Sequence, residues 1–368
     1  MSTPIRSLTA VMILLAACGG EAAPSTSTTT SAPPSTTTST STTSTSTTTT
    51  TVPATTTTTS NVVTLPPEGY RSPVNGLSPP LETLLDRRAI SFKIDNHPEA
   101  RPQSGLQEAD AVIELLVEGG FTRFIAVFHD DDSEYLGPVR SLRPTDSTLM
   151  PAIPSVLVMS GGQPWVQSLT ASRKVRLLGE STSGLFRTSS RTAPHNLYAD
   201  TAKVRAAADA RAISNDPPQW LYRVDEWEIP DATATEVILH WSQNSVITWR
   251  YEGGRYTRWM GSTPHEYRTE SGEKGQITVD VLVILAGRQY TAEPPGGDGT
   301  PVPATDTVGT GTAWVISRGA VWTGTWEREA ITDQFRLLGP DGEEAVVPAG
   351  VPWVSIFPGG NQIEISGP

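Results

Sequence analysis

From residue 24 to about residue 60 the chain is almost wholly serine and threonine, with proline and alanine between them. A stretch of this kind holds no apolar area to offset the entropy of ordering it, so it predicts no packed structure. As a flexible coil of about 45 residues it reaches roughly 40 Å r.m.s., and about 150 Å when stretched. The composition also suits O-glycosylation, which would stiffen it. A folded head is therefore expected only beyond it, from about residue 66 to residue 368, with the serine and threonine run as its stalk.

Ahead of the stalk, Arg6 precedes an apolar run from Leu8 to Ala17 that ends at Cys18, the single cysteine of the chain. About ten apolar residues are too few to cross a bilayer as a helix but match the core of a signal peptide. The four residues Leu15-Ala16-Ala17-Cys18 resemble a bacterial lipobox. That resemblance implies a signal peptide over 1–17, a diacylated (palmitate-bearing) Cys18 as the first mature residue, and a tether over 18–65. The expected location is the extracytoplasmic face of the cell membrane, with the membrane itself the partner of Cys18. Buried acyl chains contribute about 0.8 kcal/mol per CH₂, so two long chains anchor firmly.

One cysteine leaves no internal disulfide framework and no multi-cysteine metal site. The balance of 27 basic against 39 acidic residues, a net charge of −12, argues against nucleic acid as a partner.

The head changes character along its length. Apolar runs of strand length occur at Ala89–Ile94, Ala111–Val117, Phe124–Phe128 and Val156–Met159. Near-continuous runs predict strands covered on both faces. Helix-compatible pieces lie at Leu106–Ala109, Pro144–Met150 and Pro164–Ser172. The clearest helix is Thr201–Ala212, with Asp200 as N-cap and an alanine-rich interior. These features predict an α/β N-terminal domain over 66–230, a sheet flanked by helices.

From about residue 236 the pattern becomes short alternating runs broken by glycine and proline, namely Val237–Trp241, Val246–Tyr251, Ile277–Leu285, Ala313–Ser317, Val321–Trp326 and Trp353–Phe357. This spacing predicts a β-rich C-terminal domain over 231–368. Pro294–Thr312, rich in Gly, Pro and Thr, reads as one exposed loop. Seven of the ten tryptophans follow residue 236; they either fill a core or stack on sugar rings.

Several motifs of the head are long enough to carry a family likeness. Lys93-Ile94-Asp95-Asn96-His97-Pro98 leads into Ala100-Arg101-Pro102-Gln103-Ser104-Gly105-Leu106. Further on stand Glu118-Gly119-Gly120-Phe121-Thr122-Arg123-Phe124, Gly137-Pro138-Val139-Arg140-Ser141-Leu142-Arg143 and Arg191-Thr192-Ala193-Pro194-His195-Asn196. Together with Gly309–Trp326 and Val347–Trp353, these resemble the YerB-like bacterial lipoproteins, a family of paired N- and C-terminal domains of unknown function. The resemblance implies a lipid-anchored envelope protein with two domains and supplies no reaction. A fainter likeness joins Asp95, Arg101, Asp110 and Ser141-Leu142-Arg143-Pro144-Thr145-Asp146 to the LytR–CpsA–Psr wall-polymer ligases, in which comparable residues hold a pyrophosphate. Here Pro144-Thr145 sets Asp146 two positions later than that pattern.

Asp95, Asn96 and His97 follow a strand directly, where polar residues line the crevice of open α/β sheets. Asp and Asn before Pro98 also suit a turn that bonds backbone amides. Five arginines, Arg101, Arg123, Arg140, Arg143 and Arg191, fall within or beside the loops joining predicted strands. Guanidinium forks hold phosphate or carboxylate through paired hydrogen bonds. Against that stand Asp95, Asp110, Glu114 and Glu118, which are available to neutralise arginines internally. His195 is the best single candidate for proton transfer, because imidazole titrates near neutral pH.

Ser160-Gly161-Gly162 offers a candidate anion nest. The acid run from Asp130 to Glu134 lacks EF-hand spacing and reads as a solvated loop. With no nucleophile elbow, Walker loop, His-Glu-x-x-His or dinucleotide fingerprint, neither a metal nor a cofactor is expected.

The leading expectation is an envelope protein that binds an anionic ligand, a phosphorylated glycan or its lipid-linked precursor or an anionic small molecule, in an arginine-lined cleft. Asn96, His97, Arg101, Glu118, Arg123, Arg140, Arg143, Arg191 and Asn196 are its candidate binding residues. The alternative is an enzyme acting on wall polymer, a phosphoryl transferase or hydrolase, with Asp95 and His195 as acid and base.

Overall fold

A computed structural model describes residues 62–63, 69, 71–211 and 227–367. The signal peptide, Cys18 and nearly all of the tether lie outside the described residues, as does Ala212 at the expected end of the Thr201 helix. The strands before residue 227 that matter here are β1 (Ile90–Asp95), β2 (Ala111–Leu116), β3 (Thr122–Phe128), β4 (Val156–Val158) and β5 (Arg176–Leu178). The helices are α1 (Pro144–Leu149), α2 (Pro164–Ser172) and α3 (Thr201–Asp209). After residue 227 follow β6 (Glu236–Ser242), β7 (Ser245–Glu252), β8 (Arg255–Met260), β9 (Val281–Gly287), β10 (Gly309–Ser317), β11 (Ala320–Arg328), β12 (Arg336–Leu338), β13 (Pro352–Pro358) and β14 (Ile363–Ser366).

One ten-stranded mixed sheet runs in the order β12-β11-β10-β9-β13-β2-β3-β1-β4-β5. Strands from both sides of residue 230 therefore share it. The join is β13, which lies parallel to β9 on one side and parallel to β2 on the other. A second sheet pairs β14-β6-β7-β8, with the short strands Thr263–Pro264 and Thr278–Val279 on β8.

Strand periodicity explains why the large sheet is buried on both faces. In β1, Ile90, Phe92 and Ile94 point to one core with Phe124, Ala126 and Phe128 of β3. Ile125 and Val127 of β3 point the other way, beside Ala111, Ile113 and Leu115 of β2. The first core is closed by Val237, Leu239 and Trp241 of β6 with Ile247 and Trp249 of β7, and by Val204 and Ala208 of α3. Edge-to-face aromatic pairs cross between the sheets, Trp241 with Phe357 at 5.0 Å and Trp249 with Trp353 at 5.2 Å. Leu149 of α1, Met150 and Val166 of α2 belong to the second core.

The expected helix-flanked sheet is thus corrected in one respect. Helices are few and short, and the first face is covered chiefly by another sheet. Apolar strands demand two covered faces but do not say what covers them.

The expected loop over Pro294–Thr312 is also corrected. Val302–Thr305 is a strand paired antiparallel with Gln289–Ala292, and β10 begins at Gly309. Alternating Val302 and Ala304, both buried, explain the strand within a Pro- and Gly-rich stretch. Trp241, Trp249, Trp326 and Trp353 are core residues. Asp200 caps α3 by accepting from the Lys203 amide at 3.0 Å.

Candidate functional site

β1 ends at Asp95, and its antiparallel register sets Asp95 opposite Arg123 on β3. The segment from Gly137 to Arg143 returns alongside, with the Asp95 amide donating to Pro138 and the Arg140 amide to Lys93. Four groups then face one buried carboxylate. Arg140 Nε donates to Asp95 Oδ2 at 2.9 Å, His195 Nδ1 stands 2.8 Å from the same oxygen, the His97 amide donates to Oδ1 at 3.2 Å, and Arg123 Nε lies 3.9 Å from Oδ1. Burial pushes the Asp95 carboxyl up, but the charges of Arg123 and Arg140 with the hydrogen bonds outweigh it and hold the group below its usual range. An ionised carboxylate only accepts, so Nδ1 of His195 carries the proton and donates.

Arg143 donates through Nε to Glu118 Oε2 at 2.5 Å and through Nη1 to the Leu142 carbonyl. Arg123 Nη1 donates to the Ser141 carbonyl at 2.8 Å. Burial first, then repulsion from Arg143, lowers Arg123 to about 10. Burial opposes ionisation of Glu118, yet Arg143 holds its carboxyl below the usual range. Three guanidiniums therefore share two carboxylates. Beneath them Lys93 and Asp146 form a fully buried pair at 2.6 Å, and Asp146 also accepts from the Arg143 amide at the start of α1. Asp146, the acid of the Ser141–Asp146 stretch, is thus taken up by the fold. Burial lowers Lys93 to about 8.

Asn96 is fully buried, so it positions neighbours rather than meeting a ligand. Its amide donates to Thr122 Oγ1, while its Oδ1 accepts from Arg101 Nε at 3.0 Å and from Gln103 Nε2 at 3.0 Å. His265 Nε2 donates to Gln103 Oε1 at 2.8 Å, and its Nδ1 accepts from Arg258 Nη1 at 2.7 Å. Burial, then Arg258, lowers His265 well below the ordinary imidazole value, so it is the neutral relay of this chain. Arg258 ends the chain on Glu114, which also accepts from Thr122 and Trp353.

Arg101 and Arg191 lie apart from the Asp95 group. With Arg268 they line an open cleft of about 390 Å³, together with Tyr135, Tyr198 and Ser104. Tyr135 and Tyr198 stack at 4.3 Å. Arg101 is held by the Asn96 side-chain and backbone oxygens, and Arg191 by the carbonyls of Glu99 and Pro102. Arg268 is exposed, and its guanidinium has no partner among the described residues. Glu270 is the only acid in the lining. Gly137 lets the backbone pass under the cleft, because a Cβ there would sit 2.8 Å from the Tyr198 ring.

His97 and His195 stack with ring centroids 5.4 Å apart. Glu99 Oε2 lies 3.2 Å from His195 Nε2 and 3.9 Å from His97 Nδ1. The candidate ligand atoms of His97, Glu99 and His195 all fall within 4.8 Å of one another. His97 and His195 are nearly 100 residues apart, and no linear spacing rule joins them.

The candidate residues therefore divide. Asp95, His97, Glu118, Arg123, Arg140, Arg143 and His195 surround the end of β1, Arg101 and Arg191 line the cleft, and Asn196 accepts from Arg187. Arg268, Glu99, Gln103 and His265 were not foreseen. Only Glu99 had a signal, two residues after His97 across Pro98. In the acid run, Asp132 pairs with Arg87 and Arg205.

Residues 75–214 match the N-terminal domain described as Protein of unknown function (DUF3048), and residues 237–354 match its C-terminal domain. Over 144 residues the chain is 35% identical to YerB of Bacillus subtilis (strain 168), named as a candidate lipoprotein. That match spans 38% of this chain and 43% of the relative's own length. The crystal structure of the YerB protein from Bacillus subtilis aligns with a TM-score of 0.67 at 24% identity, covering 81% of this chain and 99% of that one, a likeness of fold. Among the described residues no helix is long and apolar enough to cross a membrane.

Proposed function

The chain belongs to the family that joins the DUF3048 N- and C-terminal domains, and we propose that its head binds an anionic envelope ligand in the cleft of Arg101, Arg191 and Arg268. The ligand class is a phosphorylated glycan or its lipid-linked precursor. One observation carries the reading. Arg191 is held by neutral oxygens and Arg268 by nothing among the described residues, so their charge is left for a ligand; Arg101 is hydrogen-bonded only to neutral oxygens but feels Glu114 and Asp95, whereas Arg123, Arg140 and Arg143 spend theirs on Asp95 and Glu118. In a chain of net charge −12 a cleft with three arginines and one glutamate is a local reversal of sign. Tyr135, half-buried and backed by the fully buried Tyr198 ring, adds aromatic surface of the kind that stacks on sugar rings.

Cys18, diacylated, anchors this head to the membrane, and the serine and threonine tether carries it outward. Titration of the full chain with a glycosyl phosphate tests the cleft. Arg191→Ala with Arg268→Ala is expected to weaken binding at least tenfold, while Arg143→Ala changes it less than threefold. Equal affinity in the double variant would defeat the reading.

The Asp95–His195 contact at 2.8 Å favours a second reading, an acid–base pair acting on wall polymer. It requires turnover of that polymer by the full chain, abolished in His195→Ala.

A further inference from the structure

We propose that His97, Glu99 and His195 form a binding site for one divalent transition-metal ion, with Asp95 as the outer carboxylate that orients His195. The proposal is independent of what the arginine cleft binds.

Asp95 accepts from His195 Nδ1, which leaves Nε2 as the ring atom free to ligate. That nitrogen stands 3.2 Å from a carboxylate oxygen of Glu99. Both atoms are metal-ligand types, and the pair is spaced as two ligands of one ion would be. A carboxylate bonded to the far nitrogen of a histidine is the usual outer shell of a metal-ligating imidazole.

Distances agree. Ligand atoms about 2.0–2.2 Å from a tetrahedral ion lie about 3.3 Å from each other. His195 and Glu99 already meet that spacing, and the third donor lies within 4.8 Å. His97 and Glu99 are the two that must close in: Glu99, 74% exposed, has room to turn, and His97, 40% exposed, gives up the hydrogen bond that its Nδ1 accepts from the Glu99 amide at 3.3 Å. His195, only 9% exposed at its side chain, is the fixed ligand.

Chemistry selects the ion. Two imidazole nitrogens with one carboxylate suit Zn²⁺ and its first-row neighbours, whereas Mg²⁺ and Ca²⁺ demand oxygen shells. Three protein ligands leave a coordination position open. The charge of Asp95 is shared with Arg123 and Arg140, so Glu99 supplies the negative charge that the ion meets directly.

The test is titration of the full chain with Co²⁺, read by visible absorption, and competition with Zn²⁺. Cys18→Ser in every sample removes the thiol as a rival ligand. Expected are one ion per chain, with absorption of a low-coordinate site displaced by Zn²⁺, and affinity at least tenfold lower in Glu99→Gln and in His97→Ala. Both side chains are substantially exposed, so thermal unfolding in EDTA should match wild type, and Zn²⁺ should raise the melting temperature of wild type alone. Absence of binding in wild type overturns the site, and so does unchanged affinity in the Glu99→Gln, His97→Ala double variant.

Discussion

Arg258→Met is the perturbation that most directly probes how the two parts of the head hold together. Arg258 on β8 and Glu114 on β2 are fully buried, with Nη2 at 2.7 and 2.9 Å from the two carboxylate oxygens. The guanidinium is also packed among aromatic rings, 4.8 Å from Trp353, 5.4 Å from Phe124 and 5.5 Å from Trp249. Methionine keeps the apolar stem but removes the charge. Glu114 is left with Thr122 and Trp353 as neutral donors in an interior that disfavours its charge, and His265 loses the donor to its Nδ1.

Removing one partner of such a pair costs about 3–5 kcal/mol, whereas replacing both by neutral groups is often close to neutral. Arg258→Met alone should therefore be destabilising by about 4 kcal/mol, and Glu114→Gln with Arg258→Met by less than the single change, because glutamine still accepts from Thr122 and Trp353. Denaturant unfolding followed by tryptophan fluorescence reads this well, since Trp249 and Trp353 adjoin the substituted side chain. A single-variant cost below about 1 kcal/mol would refute the argument, as would a double variant that costs the sum of the singles.

Asp95→Asn should cost about 3 kcal/mol at neutral pH, because Arg123 and Arg140 lose a buried counter-charge. An acid held below its unfolded value near 3.9 stabilises the fold fully above that pH and loses the contribution as pH falls through the folded value. Wild type should thus lose stability on acidification below about pH 4, and Asp95→Asn should show a shallower loss in that range, measured by urea midpoints. Gly137→Ala should push the Tyr198 ring out of the cleft floor and weaken glycosyl phosphate binding without touching an arginine; a crystal structure with the ring unmoved would count against it.

Much of the strand content was legible because burial on two faces writes a continuous apolar run. Ala111–Val117 and Val156–Met159 foreshadow β2 and β4 to within a residue at their ends. What such runs do not encode is the partner. Nothing in Trp353–Phe357 announces that β13 lies between β9 and β2, since parallel neighbours are chosen by shape, and Trp353 pairs with Val112 more than 200 residues earlier. The helical cover was overestimated for a related reason, because Val237–Trp241 alternates as any half-buried strand does and its buried side matched the same sheet that helices were expected to cover.

Arginines gave the clearest signal in the sequence and also the one most in need of coordinates. A guanidinium in a loop is equally visible whether it faces a carboxylate, a carbonyl or water. Arg140 and Arg191 illustrate the difference. Arg140 donates to Asp95, and that pair is a neutral unit to any approaching anion. Arg191 donates to the carbonyls of Glu99 and Pro102, which fix its direction without cancelling its charge. The same accounting applies to histidine. His195 reads from the sequence as an isolated titrating group, but its two nitrogens face Asp95 and Glu99, so its chemistry is decided by what stands between the ring and the second carboxylate. Neutralised charges around the end of β1 build the fold there, and the charges left over beside it, those of Arg191, Arg268 and Glu99, are the groups on which binding of an anion and of a cation depends.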